Sequence, residues 1–169
     1  IQGGKGRFAG ICLPSGSAGT LASGDYLKQQ YPGGRIAVGE ALQCPTILNN
    51  GFGSHRIEGI GDKHIPWVHN VKNTDMAIAI DDGDAMALLR LFNEPAGKEY
   101  LKDEIGMAAE EIESLALMGI SGISNMLCAT KFAKYYELNG EDVVATVLHA
   151  SLEVSGGRHA EPRGGAGPY

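Results

Sequence analysis

No stretch of this 169-residue chain approaches the roughly 20 consecutive apolar residues that a membrane helix needs, and its opening residues, IQGGKGRF, lack the layout of a secretory signal. A membrane is therefore not an expected partner. The 14 Lys and Arg are scattered singly in a chain of formal charge -6 and pI near 5.3. Without a basic stripe to track a phosphodiester backbone, nucleic acid is not an expected partner either. The three cysteines, Cys12, Cys44 and Cys128, are widely spaced with no CxxC pair. That pattern argues against a disulfide framework and for a reducing, cytoplasmic compartment. The chain opens on Ile1 rather than Met, which is expected of a fragment or a processed product. What it does have is apolar content: 43% hydrophobic residues suffice for one domain with a real core.

The order of elements follows from punctuation and period. Arg7 to Pro14 (RFAGICLP) is a short apolar run delivering the chain into PSGSAGT, so a buried strand is expected to enter a glycine-rich turn. A helix should follow over Thr20 to Tyr31, burying Leu21, Tyr26 and Leu27 on one face, before YPGG stops it. Arg35 to Glu40 is the next strand. Strand, glycine loop, helix, strand spells a βαβ unit and hence parallel neighbours. From Ala41 to Asp75 the period is lost among four glycines, two prolines and four asparagines, which predicts a long ordered loop of the functional kind. Met76 to Ile80 is a third strand, and Asp81, Asp82 and Asp84 are N-cap candidates for a helix through AMALLRLFNE that Pro95 breaks. A weaker helical stretch spans Lys98 to Met118. GISGIS is expected to interrupt before Asn125 to Tyr136 resumes the helix, and Asp142 to His149 is a fourth strand. Residues 155–169, SGGRHAEPRGGAGPY, offer nothing to bury and are expected to form a flexible tail after an α/β domain over residues 1–154.

The sharpest chemical feature is Ser15-Gly16-Ser17-Ala18-Gly19-Thr20 between a strand and a helix. Small residues let backbone N–H groups converge on an anion. The helix N-terminus adds favourable partial charge, and the Ser and Thr hydroxyls can donate further bonds. The loop is neither GxxxxGK[ST] nor GxGxxG and contains no lysine, so a terminal phosphate monoester suits it better than a triphosphate. A plain tight βα turn is the bland alternative.

Three blocks together resemble one family. SGSAGTLASGDYLKQQYPGGRIAVGEALQCPT resembles the GTGGT loop, the helix ending in YLK and the following strand of the cysteine synthase and cystathionine β-synthase family, the fold type II pyridoxal-phosphate enzymes. HRIEGIGDKHIPWV is similar to that family's QGIGxGFIP segment, and GISGISNMLCATKFAK to its GISSGANVAAALKLA helix start. The resemblance spans about Gly10 to Lys134, with VVATVLH matching the last strand.

It implies an α/β fold, a parallel or mostly parallel sheet flanked by helices that is the incomplete large domain of such an enzyme. Pyridoxal 5'-phosphate is the implied cofactor, its phosphate held at Gly16, Ser17, Ala18, Gly19 and Thr20. Ala18 stands where the family has glycine, which is harmless at negative φ and costly if the turn is left-handed. Gly59, Ile60 and Gly61 would lie beside the cofactor ring and leave room for the substrate adduct. A family serine meets the pyridine nitrogen in the third block. Alignment by GIS puts Gly122 there, so Ser121 or Ser124 is expected to take that role. The family's Schiff-base lysine lies N-terminal to the phosphate loop, and none of the eight lysines here stands in an SxxK context. The resemblance thus implies β-elimination or β-replacement on an amino acid by the intact enzyme, and no Schiff base on this chain alone. Partners to expect are the amino-acid substrate, the N-terminal half of the enzyme or a complementary chain, and a second copy. A truncated or split domain that binds a phosphate ligand or partner chain without turnover is the rival reading.

Several tempting residues have bland readings. Asp62, His64 and His69 lack any metal-site spacing, so no metal is expected. Cys12 and Cys128 read as small core hydrophobes, the Glu110-Glu111-Glu113 run as a solvated helix face, and His149 as a buried, backbone-bonded residue. Leu88, Leu89, Leu91 and Phe92 form too broad an apolar face for a helix with one side in water, and Ile65 to Val68 adds to the surplus. Both are expected to leave surface that another chain covers.

Overall fold

A computed structural model describes residues 6–148. Four strands form one fully parallel sheet in the order β3-β2-β1-β4: β1 (Arg7–Pro14), β2 (Arg35–Ala41), β3 (Met76–Ile80) and β4 (Asp142–Thr146). The strands expected from the sequence are all present, in a parallel sheet flanked by helices. The expected end of the fourth, His149, and the tail over residues 155–169 lie outside the described residues.

The helices cover both faces of the sheet. Successive side chains of a strand point to opposite sides, so Ile11, Leu13, Ile36 and Val38 pack with Leu21 of α1 (Leu21–Gln30) on one side. Cys12, Ala37, Ala41, Ile78 and Ile80 pack on the other with Cys128 and Phe132 of α6 (Ile120–Tyr135). The chain leaves β1 for β2 through α1 on the first face and reaches β4 through α6 on the second. The carboxyl end of β1 is therefore a topological switch point, the place where α/β sheets open a crevice.

Four expectations need correction. Tyr26 is 62% exposed, and Gly24 takes its place in the buried stripe, because positions 21, 24 and 27 recur near the helical period while position 26 points elsewhere. Pro95 breaks the helix α3 (Asp82–Asn93) but also starts the next, α4 (Pro95–Asp103), at a position where its missing N–H costs nothing. The stretch from Lys98 to Met118 is two helices, α4 and α5 (Ala109–Ala116), parted by Gly106 at φ +75°. GISGIS does not interrupt a helix: α6 runs from Ile120 straight through Gly122, since burial of Ser121 through Asn125 outweighs the low helix propensity of glycine.

The broad apolar face of α3 is largely satisfied within the chain. Phe92 is buried with Leu101, Ile112 and Ile123, and Leu88, Leu89 and Leu91 pack against that cluster. Asp81 caps α3 by accepting from Gly83 N at 2.7 Å, as its position suggested. No single helix among the described residues is long and apolar enough to cross a membrane. The α5 and α6 pair passes by composition alone, but it bends by 111° and α6 is a core helix.

Candidate functional site

The chain leaves β1 at Pro14 and turns through residues 15–20 before α1 begins. Ser15 N still donates to Gly39 O of β2 at 2.8 Å, which ties the loop's base to the sheet. Beyond it the backbone is free: among the described residues, no amide from Gly16 to Thr20 donates to a carbonyl. Thr20 caps α1 without using its hydroxyl on the helix, and Ser17 is exposed. Ala18 sits at φ +64°, 3% exposed and packed in the core on the α1 side. A left-handed residue in mid-loop turns the flanking amides toward one side, at a cost that glycine would not incur.

The long segment after β2 closes over this loop. Gly61 N donates to Ser15 O at 2.7 Å, and a Cβ on Gly16 would stand 3.6 Å from Gly59 O. The two glycine blocks that lie some forty residues apart in sequence thus pack backbone against backbone. Gly59 and Gly61 have φ of +86° and +87°, so both need glycine for conformation. They differ in surroundings. A Cβ on Gly59 would meet nothing within 4 Å, whereas one on Gly61 would strike His55 Nε2 at 2.5 Å. Gly59 therefore leaves open space, and Gly61 admits the His55 ring. Ile60 between them is buried in the cluster that contains Cys12 and Cys128.

The start of α6 lies at the same sheet edge. Asn125 Nδ2 donates to Val147 O just past β4, Cys128 lies beside Gly39, and Tyr136, after the helix end, stacks under the Arg35 guanidinium at the opposite edge. Ser121, Ser124 and Asn125 are all buried there. The Ser124 hydroxyl and the Asn125 carbonyl oxygen are buried without a hydrogen-bond partner among the described residues. Unsatisfied buried polar atoms are costly and mark places where a ligand or water belongs.

The remaining candidates go elsewhere. His64 Nδ1 is 3.9 Å from Asp62 Oδ1 at the surface, while His69 is buried and bonds Thr74 Oγ1 through Nε2 at 2.8 Å. Burial pushes the His69 pKa down, partly opposed by the Asp25 and Glu40 carboxylates. The Cys12 thiol is pushed far up, first by its hydrogen bond with Cys128 and then by burial, so it is no nucleophile. Glu40, Thr46, His55 and Asn125 were not singled out from the sequence. Only Glu40 carried a signal there, as a charge at the end of an apolar strand.

No family model matches the chain. It is 29% identical over 139 residues to cysteine synthase B of Campylobacter jejuni, covering 82% of this chain and 39% of that protein. Cysteine synthase 3 of Caenorhabditis elegans is 28% identical over 144 residues, covering 85% and 37%. Among solved structures, a hydrogen sulfide-producing enzyme from Fusobacterium nucleatum superposes with a TM-score of 0.65 at 24% identity over 86% of this chain and 38% of that one. An O-acetylserine-dependent cystathionine β-synthase from Helicobacter pylori gives 0.62 at 24% identity over 84% and 40%. The class is that of the fold type II α/β proteins. Within it the chain is similar in sequence to cysteine synthases and in fold to cystathionine β-synthase-like enzymes. It spans about two fifths of the length of the curated relatives it matches, which fits a C-terminal portion.

Proposed function

We propose that this chain supplies the cofactor-phosphate site of a pyridoxal-phosphate-dependent enzyme that carries out β-elimination or β-replacement on an amino acid such as serine, O-acetylserine or cysteine. The observation that carries the reading is the loop of unpaired amides at Gly16–Thr20, set on a helix N-terminus and packed against Gly59–Gly61. Its amides and the Ser17 and Thr20 hydroxyls would hold the 5'-phosphate, which needs many donors and no lysine. The open space at Gly59 would leave room for the ring, and Ser124, whose buried hydroxyl is unsatisfied, is favoured over Ser121 as the group that would meet the ring nitrogen. When bound, pyridoxal phosphate supplies the electron sink that makes bond breaking at the amino acid's α-carbon feasible. The chain contributes binding and orientation. The lysine for the Schiff base would come from a segment N-terminal to Gly10 in the intact protein, so this chain alone would be inactive.

Amide-resolved NMR of the full chain, titrated with pyridoxal 5'-phosphate, pyridoxal and inorganic phosphate, tests the site. Both phosphate-bearing probes should shift the Gly16–Thr20 amides and pyridoxal should not. Amides unmoved by millimolar pyridoxal 5'-phosphate would overturn the reading. Borohydride reduction of the same mixture should fix cofactor on no single lysine, and labelling of one specific lysine would refute the claim that this chain lacks its own Schiff-base lysine.

A further inference from the structure

Glu40 is the only wholly buried carboxylate among the described residues. It stands near the end of β2 on the face that packs with α1, and both its oxygens are used: Ile47 N donates to Oε1 at 2.7 Å and Leu48 N to Oε2 at 2.9 Å. These amides belong to α2 (Thr46–Asn49), a single turn that the carboxylate pins to the sheet. A buried carboxylate is costly without such partners, so its placement is specific. The pinned turn begins with Thr46, itself buried, whose hydroxyl lies 2.6 Å from Asp62 O and 3.1 Å from Gly51 O. A hydroxyl has one proton, and the nearer carbonyl takes it. Asp62 follows Gly61, and Gly61 N donates to Ser15 O at the base of the free-amide loop.

The result is an unbroken chain of bonds: carboxylate to helical turn, hydroxyl to the Asp62 carbonyl, Gly61 amide to Ser15. We propose that Glu40 and Thr46 are positioning residues, which set the height of Gly59–Gly61 against Gly16–Thr20 and through it the convergence of the amides on a phosphate. The proposal rests on the phosphate reading of that loop for its purpose, but its geometry can be tested without a ligand. The side-chain hydrogen bonds of both residues go to the segment after β2: Glu40 to Ile47 and Leu48, Thr46 to Gly51 and Asp62.

The test uses the full chain carrying Thr46→Val, which keeps shape and removes the hydroxyl, Thr46→Ser, which restores it, Glu40→Gln, and Ile112→Val as a control in the distant cluster with Phe92. Exchange of the Gly61 amide and the resonance positions of Gly16–Thr20 are read without ligand, and affinities for inorganic phosphate and pyridoxal 5'-phosphate follow. Thr46→Val should speed Gly61 exchange and weaken phosphate about tenfold, the size expected for one buried hydrogen bond. Thr46→Ser should return both toward the parent, Glu40→Gln should act in the direction of Thr46→Val, and Ile112→Val should lower stability without moving either. Unchanged Gly61 exchange and unchanged loop resonances in Thr46→Val would overturn the proposal, as would a Thr46→Ser that behaves like Thr46→Val. Should Thr46→Val fail to fold, Glu40→Gln carries the same comparison. If no phosphate binds the parent while Thr46→Val still loosens Gly61, the positioning stands and the phosphate reading falls.

Discussion

Ala18 concentrates the site's local physics in one residue. Its φ of +64° costs about 1–2 kcal/mol relative to glycine, against roughly 0.8 kcal/mol returned by burying its methyl group. Ala18→Gly should therefore change stability by no more than about 1 kcal/mol. Ala18→Val should cost about 2–3 kcal/mol, because a β-branched side chain tolerates positive φ poorly and the site is only 3% exposed. Chemical denaturation of both variants checks this, and a Val variant within 0.5 kcal/mol (roughly the noise of a surface change) would contradict the left-handed geometry. The alanine in the glycine-patterned loop was visible in the sequence, but the sign of its effect was not. That depended on a backbone angle that only the folded loop shows.

Among the elements, the pairing of β1 with β4 shows how charge supports the sheet. Arg7 pairs with Asp142 at the first rung, with Arg7 Nε 2.8 Å from Asp142 Oδ1, and Asn139 N donates to the other carboxylate oxygen at 3.1 Å. The Asn139 amide first, and Arg7 next, hold the Asp142 carboxyl below the ordinary carboxylate range. A depressed folded pKa means the unfolded chain binds its proton first. The stabilisation is thus complete above about pH 4 and is lost as pH falls through the folded value. The urea midpoint of Asp142→Asn should lie below that of the parent at pH 6, with the gap closing toward pH 2. A gap independent of pH would show that the carboxylate's charge is not involved. The elements themselves were largely legible: β1, β3 and the start of β4 stand where apolar runs bounded by glycine and proline put them. The start of α6 was misplaced because local propensity opposes two glycines within four residues, and only packing against the sheet overrides it.

At the scale of the whole molecule, the α3 cluster is covered by α4, α5 and α6, yet the segment after β2 is not. Trp67 is 99% exposed and Val68 72% exposed, with Phe52 and Val71 also open to solvent. Together with a span of about two fifths of the relatives' length, this favours coverage by another chain or segment. Sedimentation at micromolar concentration should show the chain self-associated, and Trp67→Ser with Val68→Ser should shift it toward monomer. A compact, cooperatively melting parent monomer would refute this.

The glycine-rich turn after β1, the parallel βαβ order and the three-block resemblance were determined by the sequence alone, because each rests on short-range rules of backbone freedom and side-chain period. Tertiary structure decided which of those blocks meet. The packing of Gly59–Gly61 on Gly16–Thr20 is accompanied by hydrogen bonds at Glu40, Thr46 and Gly61, residues whose partners lie 7, 16 and 46 positions away in the chain. Sequence period carries no information at such separations. Burial favours that pairing, because the Glu40 carboxylate and the Thr46 hydroxyl must find partners within the fold.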